Sequence, residues 1–351
     1  MRNLTEHVKY KYVPFLFHLA YSINVKKLEI CQISNLYVKY DRSMILTSHY
    51  LLFCIGLSLL PMIPQYTYSS LFNIAAVGDW GCNDNSKNTL KNISSKKPEL
   101  IIALGDLSYQ RTAECWIEII SSVDNITSIV RGDHDNDFRT SQYMKHFNMS
   151  SEFYSFNEFN IHFVIMSTEL PYELGSKQYE FVKSDLENTL TNSSSKWIII
   201  AYHQPAYISP NDCRGCSPRV TLREVYHSLF DGYNVDLVLQ AHSHNYERSY
   251  PILYNNKDSE NPIIVNSNKS NYNYDINKFH GTIFATVGTG GAELHNFELK
   301  APYIVTQHRG FGFLNLELTN NGTRLNSTFY DNNGTISDHF IIDKLVSRQA
   351  N

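Results

Sequence analysis

The chain has 351 residues, 42% of them hydrophobic, and a formal net charge of -4. This composition can fill a globular core, and the length suits one large domain or two ordinary ones. The slightly acidic balance leaves no electrostatic footprint for nucleic acid, so a polyanionic partner is not expected.

Residues 1–43 carry a mild excess of Lys and Arg without clean periodicity, and an apolar run from Leu51 to Ile63 follows. That run is shorter than the ~20 residues of a membrane-spanning helix, and it contains Pro61. It reads as the apolar region of a signal peptide over residues 44–69, cleaved near Ser70. Such a peptide belongs at an N-terminus, so Met44 is the expected start and residues 1–43 an over-extended one. The alternative is an uncleaved membrane anchor behind a short cytoplasmic tail, with 51–63 as the only membrane contact. Residues 70–351 are then a single catalytic domain, with oligomeric state left open.

Two further features agree with export. Eight Asn-x-Ser/Thr sites follow residue 70, at Asn92, Asn125, Asn148, Asn192, Asn268, Asn321, Asn326 and Asn333. Four cysteines remain beyond the leader, an even number that points to two disulfides, with Cys82–Cys115 and Cys213–Cys216 the pairing we expect. A redox role for the "CRGC" pair is the alternative, and its polar, Pro-flanked setting disfavours it.

Apolar strands alternate with amphipathic segments from residue 72 onward, the pattern of a layered α/β domain. Strands are predicted at Phe72–Val77, Leu100–Leu104, Ser128–Arg131, Ile161–Met166, Trp197–Tyr202, Val235–Leu239 and Thr282–Val287. Helices are predicted at Thr112–Ile120, from Ser176 with Tyr179, Val182, Leu186 and Leu190 on one stripe, and at Thr221–Leu229. Asn255–His280 shows no period and reads as a long exposed loop. The C-terminal "NNG" breaks suggest antiparallel hairpins.

The polar residues at strand ends carry the chemistry. In open α/β sheets ligands bind beyond the carboxyl ends of strands. Those ends read "VGDWG" (Asp79), "LGDLSY" (Asp106, Tyr109), "VRGDHD" (Asp133, His134, Asp135), "AYHQP" (His203) and "QAHSH" (His242, His244). One such Asp is usually a cap or turn former; five strands, taken in chain order, each delivering carboxylate or imidazole to the same edge are not. Oxygen and nitrogen donors without thiolate suit Fe(III), Zn, Mn or Fe(II). Seven of them exceed the needs of one ion, and two ions sharing a carboxylate are a device for cleaving phosphate esters.

This order of motifs resembles the calcineurin-like metallophosphoesterases, with Tyr109 resembling the purple acid phosphatase branch. The resemblance spans Asp79 to His244, with "GTIFATVGTGG", "GFGFLNLEL" and "SDHFIID" similar to the family's closing strands. It implies an α/β/β/α sandwich with a dinuclear site at the carboxyl ends of the strands, in the small form of the family. It further implies that Asp79, Tyr109 and His244 bind a first ion, that Asp106 bridges, and that Asp133, His203 and His242 complete a second. The ions would be Fe(III) plus Zn, Mn or Fe(II), and a hydroxide held between them would attack phosphorus. His134 would bind a phosphate oxygen or protonate the leaving alcohol, and Asp135 would orient a ligand or His134. The implied activity is an exported acid phosphatase acting on small phosphomonoesters. The rivals are a phosphodiesterase or nucleotide hydrolase on the same scaffold, and a secreted binding protein without turnover.

Two positions depart from the pattern. Asp133 stands where the family has Asn, and its extra negative charge should make the bridging water less acidic. After His203, where relatives often place another substrate-pocket histidine, "QPAYISPNDCRGCSPR" has none, which leaves Arg214 or Arg219 to hold phosphate. "VGTGG" lacks the Lys-Ser/Thr of a P-loop and reads as a turn that lets backbone pass near the site. His162, His227 and His308 read as structural or exposed.

Overall fold

The computed structural model describes residues 72–192, 196–267, 273–275 and 280–344. The expected boundaries at 43 and 69, and the apolar run at 51–63, lie outside them. The elements run β1 (Phe72–Val77), α1 (Asp84–Ser95), β2 (Leu100–Ala103), α2 (Glu114–Ile120), β3 (Thr127–Ile129), α3 (Asp137–His146), β4 (Tyr154–Glu158) and β5 (Ile161–Ile165). Then come α4 (Lys177–Asn192), β6 (Trp197–Ala201), a π-helical stretch (Leu222–His227) continuing into α5 (Ser228–Gly232), β7 (Leu237–Gln240), β8 (Tyr246–Ser249) and β9 (Ile252–Leu253). The chain closes with β10 (Ile263–Ile264), β11 (Asn273–Asp275), β12 (Ile283–Val287), β13 (Ile304–His308), β14 (Gly312–Thr319), β15 (Arg324–Asp331) and β16 (Ile336–Asp343).

Two seven-stranded sheets form the centre, ordered β11-β16-β15-β14-β1-β2-β3 and β13-β8-β12-β7-β6-β5-β4. In the first, β1 pairs parallel with β2, and β2 with β3. In the second, β5, β6, β7 and β12 form a parallel run. Every residue of β1, β2, β5, β6, β7 and β12 is buried, as strands covered on both faces require. One apolar cluster joins both sheets to Trp116, Ile120, Leu90 and Ile93 of the helices over the first sheet, and another packs α4 and α5 on the second. The layers are therefore α/β/β/α, as the motifs implied.

The sheets are also joined by charge. Arg248 of β8 donates to both oxygens of Asp338 of β16 at 2.6 and 2.9 Å, and Tyr246 donates to the same carboxylate at 2.7 Å.

Several expectations change. Helices α1 and α3 were not predicted, because their buried faces hold few apolar residues: α1 buries Ser86 and Thr89 beside Leu90 and Ile93, and α3 buries Thr140 and Tyr143. A capping box sets the start of α1, with Asn83 accepting from Ser86 N–H and the Ser86 hydroxyl accepting from Asn83 N–H. Along α4, Val182 and Leu186 are buried but Leu190 is 50% exposed, so the apolar stripe ends a turn early. Within Asn255–His280, β10 pairs with β9 and β11 joins the edge of the first sheet, burying Tyr274 against Arg248. That segment is not simply an exposed loop.

The C-terminal hairpins are found as the β14-β15-β16 meander. Both disulfides form as expected, Cys82–Cys115 and Cys213–Cys216. Among the described residues no helix is long and apolar enough to cross a membrane.

Candidate metal centre

The seven proposed donors converge where the carboxyl ends of the two sheets meet. Asp79, Asp106 and Asp133 follow β1, β2 and β3 of one sheet; His203, His242 and His244 follow β6 and β7 of the other. The five strands thus supply two facing edges. Asp79, Asp106 and His242 all adopt left-handed backbone, with φ of 58°, 50° and 68°, which turns the chain sharply at the strand end. Non-glycine residues held there cluster at functional sites.

Cross-sheet hydrogen bonds fix the donors. The His242 N–H donates to Asp79 Oδ2 at 2.9 Å. His203 Nδ1 lies 2.7 Å from the Leu104 carbonyl, so it carries the proton and leaves Nε2 as the free donor atom. That Nε2 lies 3.1 Å from Asp133, 3.4 Å from Asp106 and 4.0 Å from Asp79. His242 Nδ1 is 2.8 Å from Asp133 Oδ1. On the other side, the Tyr109 hydroxyl lies 2.9 Å from His244 Nε2, 3.0 Å from Asp106 and 3.2 Å from Asp79.

Two groups of donor atoms result, Asp106, Asp133, His203 and His242, and Asp79, Asp106 and His244, each lying within 4.8 Å of one another. Asp106 belongs to both. The arrangement fits two cations. Asp79 and Asp106 are fully buried, and among the described residues no Lys or Arg pairs with any of the three carboxylates. Buried anions need such compensation.

Titration behaviour agrees. Burial raises Asp79 and Asp133, but the imidazoles beside each outweigh it and hold both below the usual carboxylate range. Burial lowers His203 and His244, but Asp106 at the first and Asp79 at the second push each above the ordinary histidine value. Burial and then the charges of Asp79 and Asp106 keep the Tyr109 phenol protonated, so only a cation at this spot would make it a phenolate ligand.

Of the other predicted residues, His134 is exposed, with its ring over Tyr109 at 4.7 Å and its N–H donating to Asp106 Oδ1 at 2.8 Å. Asp135 is buried, and its carboxylate accepts from Leu107 N–H and Gly132 N–H, tying the loop after β2 to the loop after β3. Burial, then repulsion from Asp106, pushes it up to about 7. Arg214 is exposed on the disulfide loop and Arg219 half-buried beside Tyr172; among the described residues neither guanidinium touches the cluster. At Gly288 an added Cβ would lie 2.0 Å from the Ser243 carbonyl and 2.6 Å from Asp79 Oδ2, so the "VGTGG" turn does run against the site.

Two residues escaped the sequence reading. The Arg139 guanidinium bridges the carbonyls of Gln110 and His134, linking the loops that carry Tyr109 and His134. His295 stacks on His244; burial, then His244, lowers it to about 4. No local motif marks either.

A two-sheet α/β sandwich with clustered Asp and His donors defines a metallophosphoesterase. The calcineurin-like phosphoesterase profile matches residues 72–246, and the chain belongs to that family, in its purple acid phosphatase branch. Relatives include purple acid phosphatase 15 of Arabidopsis thaliana, 25% identical over 62% of this chain and 44% of the relative. The phosphoenolpyruvate phosphatase of Allium cepa is 24% identical over 81% and 62%, and a probable inactive purple acid phosphatase 27 of Arabidopsis thaliana 27% identical over 78% and 47%. The chain spans about half the length of the curated relatives it matches.

Among solved structures, a purple acid phosphatase from yellow lupin (Lupinus luteus) seeds shares the fold with a TM-score of 0.63 at 22% identity, over 79% of this chain and 54% of that one. The anchor in the inner membrane complex of Plasmodium does so with a TM-score of 0.60 at 16% identity, over 80% and 91%.

Proposed function

We propose that this protein is an exported, dinuclear-metal acid phosphatase that hydrolyses small phosphomonoesters. The observation that carries this reading is the pair of donor groups sharing Asp106 at the seam of the two sheets. Asp79, Tyr109 and His244 would hold one ion and Asp133, His203 and His242 the other, with Asp106 between them. Fe(III) with Zn, Mn or Fe(II) suits this donor set. Bound ions there supply Lewis-acid charge stabilisation and lower the pKa of water.

The protein's own groups do the rest. Asp135 holds the loops of Asp106 and Asp133 in register. His134, exposed over Tyr109, would bind a phosphate oxygen or protonate the leaving alcohol. Arg214 and Arg219 are the guanidinium candidates for the substrate phosphate. Export is supported by the two disulfides and the Asn-x-Ser/Thr sites.

The test is hydrolysis of a chromogenic monoester beside its diester, from acid to neutral pH, on chelator-stripped protein reloaded with iron plus zinc or manganese. His242→Ala runs as the blank. Monoester turnover abolished by that change supports the phosphatase, and preferential diester turnover assigns the chain to phosphodiesterases. A second reading, a binding protein without turnover, is favoured by one observation: Asp133 stands at a ligand position where the family has Asn. Two bound ions with neither ester hydrolysed would establish it, and Asp133→Asn would be the first reversion.

A further inference from the structure

The loop between β12 and β13 lays His295 flat against His244, with ring centroids 4.2 Å apart and 8° between the planes. His295 Nδ1 also accepts the His244 backbone N–H at 3.1 Å, which places the His295 proton on Nε2. Two residues earlier, the Glu293 carbonyl lies 2.6 Å from His244 Nδ1. The ring plane, the backbone and the tautomer of His244 are thus all set by one loop.

That loop is itself held. Asp212 N–H donates to the Asn296 carbonyl at 3.1 Å, and the Asn296 backbone N–H and side-chain amide donate to the two Asp212 oxygens at 2.8 and 2.7 Å. Glu298 N–H donates to the Pro210 carbonyl at 3.0 Å. The partner segment contains the Cys213–Cys216 disulfide, whose Cys216 sulfur lies 3.4 Å from the His242 carbonyl. Cys213, Cys216 and His295 approach one another closely enough to resemble a third donor group. The sulfurs are bonded to each other, however, and His295 Nδ1 is engaged by His244.

We propose that His295 is a positioning residue that holds the His244 imidazole toward Asp79 and Tyr109, and that the disulfide-closed Cys213–Cys216 loop is the clamp that holds His295. The inference rests on the reading that His244 binds an ion. Groups behind a metal-binding histidine commonly carry 10–100-fold of metal affinity.

The experiment is calorimetric titration of the chelator-stripped full chain with Zn2+ alone. His295→Ala should weaken one of the two equivalents by roughly 10–100-fold and leave the other within about twofold. His295→Phe, which keeps the stack, and His295→Asn, which keeps an acceptor, should each recover part of the loss, and both remain informative if the alanine variant folds poorly. Cys213→Ser with Cys216→Ser should weaken the same equivalent, and adding His295→Ala should cost less than the sum of the two, as residues acting in series do. Wild-type affinity at both equivalents in His295→Ala would overturn the proposal, as would equal weakening of both. Because ion binding is the readout, a wild-type protein that binds two ions and hydrolyses no ester would sink the phosphatase reading and leave this inference standing.

Discussion

Glu247 lies on β8, fully buried, with its carboxyl accepting from Ser209 N–H at 2.7 Å. Burial pushes it up to about 7 from an ordinary 4.5, and the hydrogen bonds from Ser209 and Gln307 only partly offset that. A folded-state pKa raised above the unfolded one gives a contribution fully present below pH 4.5 and lost as pH rises through 7. At about 1.4 kcal/mol per tenfold, the gap amounts to about 3 kcal/mol. Glu247→Gln keeps an acceptor for Ser209 and removes the titration. Its stability should therefore match the wild type near pH 4 and exceed it by about 3 kcal/mol at pH 8, measured from urea unfolding midpoints at both. A gain independent of pH, or a loss at pH 8, would refute burial as the dominant influence on this carboxyl.

Arg248→Met alone should cost about 3–5 kcal/mol in urea unfolding, because it strands the buried Asp338 carboxylate, and Arg248→Met with Asp338→Leu should regain most of it. Gly132→Ala should abolish ion retention by elemental analysis while the protein stays folded by circular dichroism, since an added Cβ would lie 2.2 Å from Asp106 Oδ1 and 2.3 Å from its backbone nitrogen. Glycans should be found at the exposed Asn125, Asn148, Asn321 and Asn333 when the native protein is mapped by mass spectrometry after glycosidase treatment. Asn92 and Asn326 should be bare, because their side-chain amides already bond Asn332 and Glu317.

What could be read from the sequence was what is local to one strand end. Each of Asp79, Asp106, Asp133, His203 and His242 announces itself by an apolar run that stops in a polar residue. His295 has no such signature, because its partner His244 is 51 residues away. Arg139 reads as an ordinary helix arginine until the Gln110 and His134 carbonyls are placed beside it. Helices α1 and α3 failed for a different reason: the buried stripe of α1 has only Leu90 and Ile93 beside Ser86 and Thr89, and that of α3 only Thr140 and Tyr143, so few apolar residues mark them, though the capping box at Asn83 was a usable signal for α1. The division of the strands between two sheets was equally invisible, since strand order does not reveal which sheet a strand joins.

That division has a physical consequence for the site. One sheet contributes the three carboxylates and the other the three imidazoles, so the centre exists only while the two sheets are packed face to face with these carboxyl ends together. Hydrogen bonds from His242 to Asp79 and from His203 to the Leu104 carbonyl cross the seam there, while Arg248 and Asp338 bridge the sheets elsewhere. Opposing this, Asp79, Asp106 and Asp133 crowd like charges together, and left-handed backbone at Asp79, Asp106 and His242 adds strain. Cations bound by the folded site and not by the unfolded chain would relieve the repulsion and stabilise the fold by mass action. On the proposed reading the same residues would therefore tie metal loading to sheet packing, and a change that loosens the seam should lower ion affinity even when it touches none of the donors.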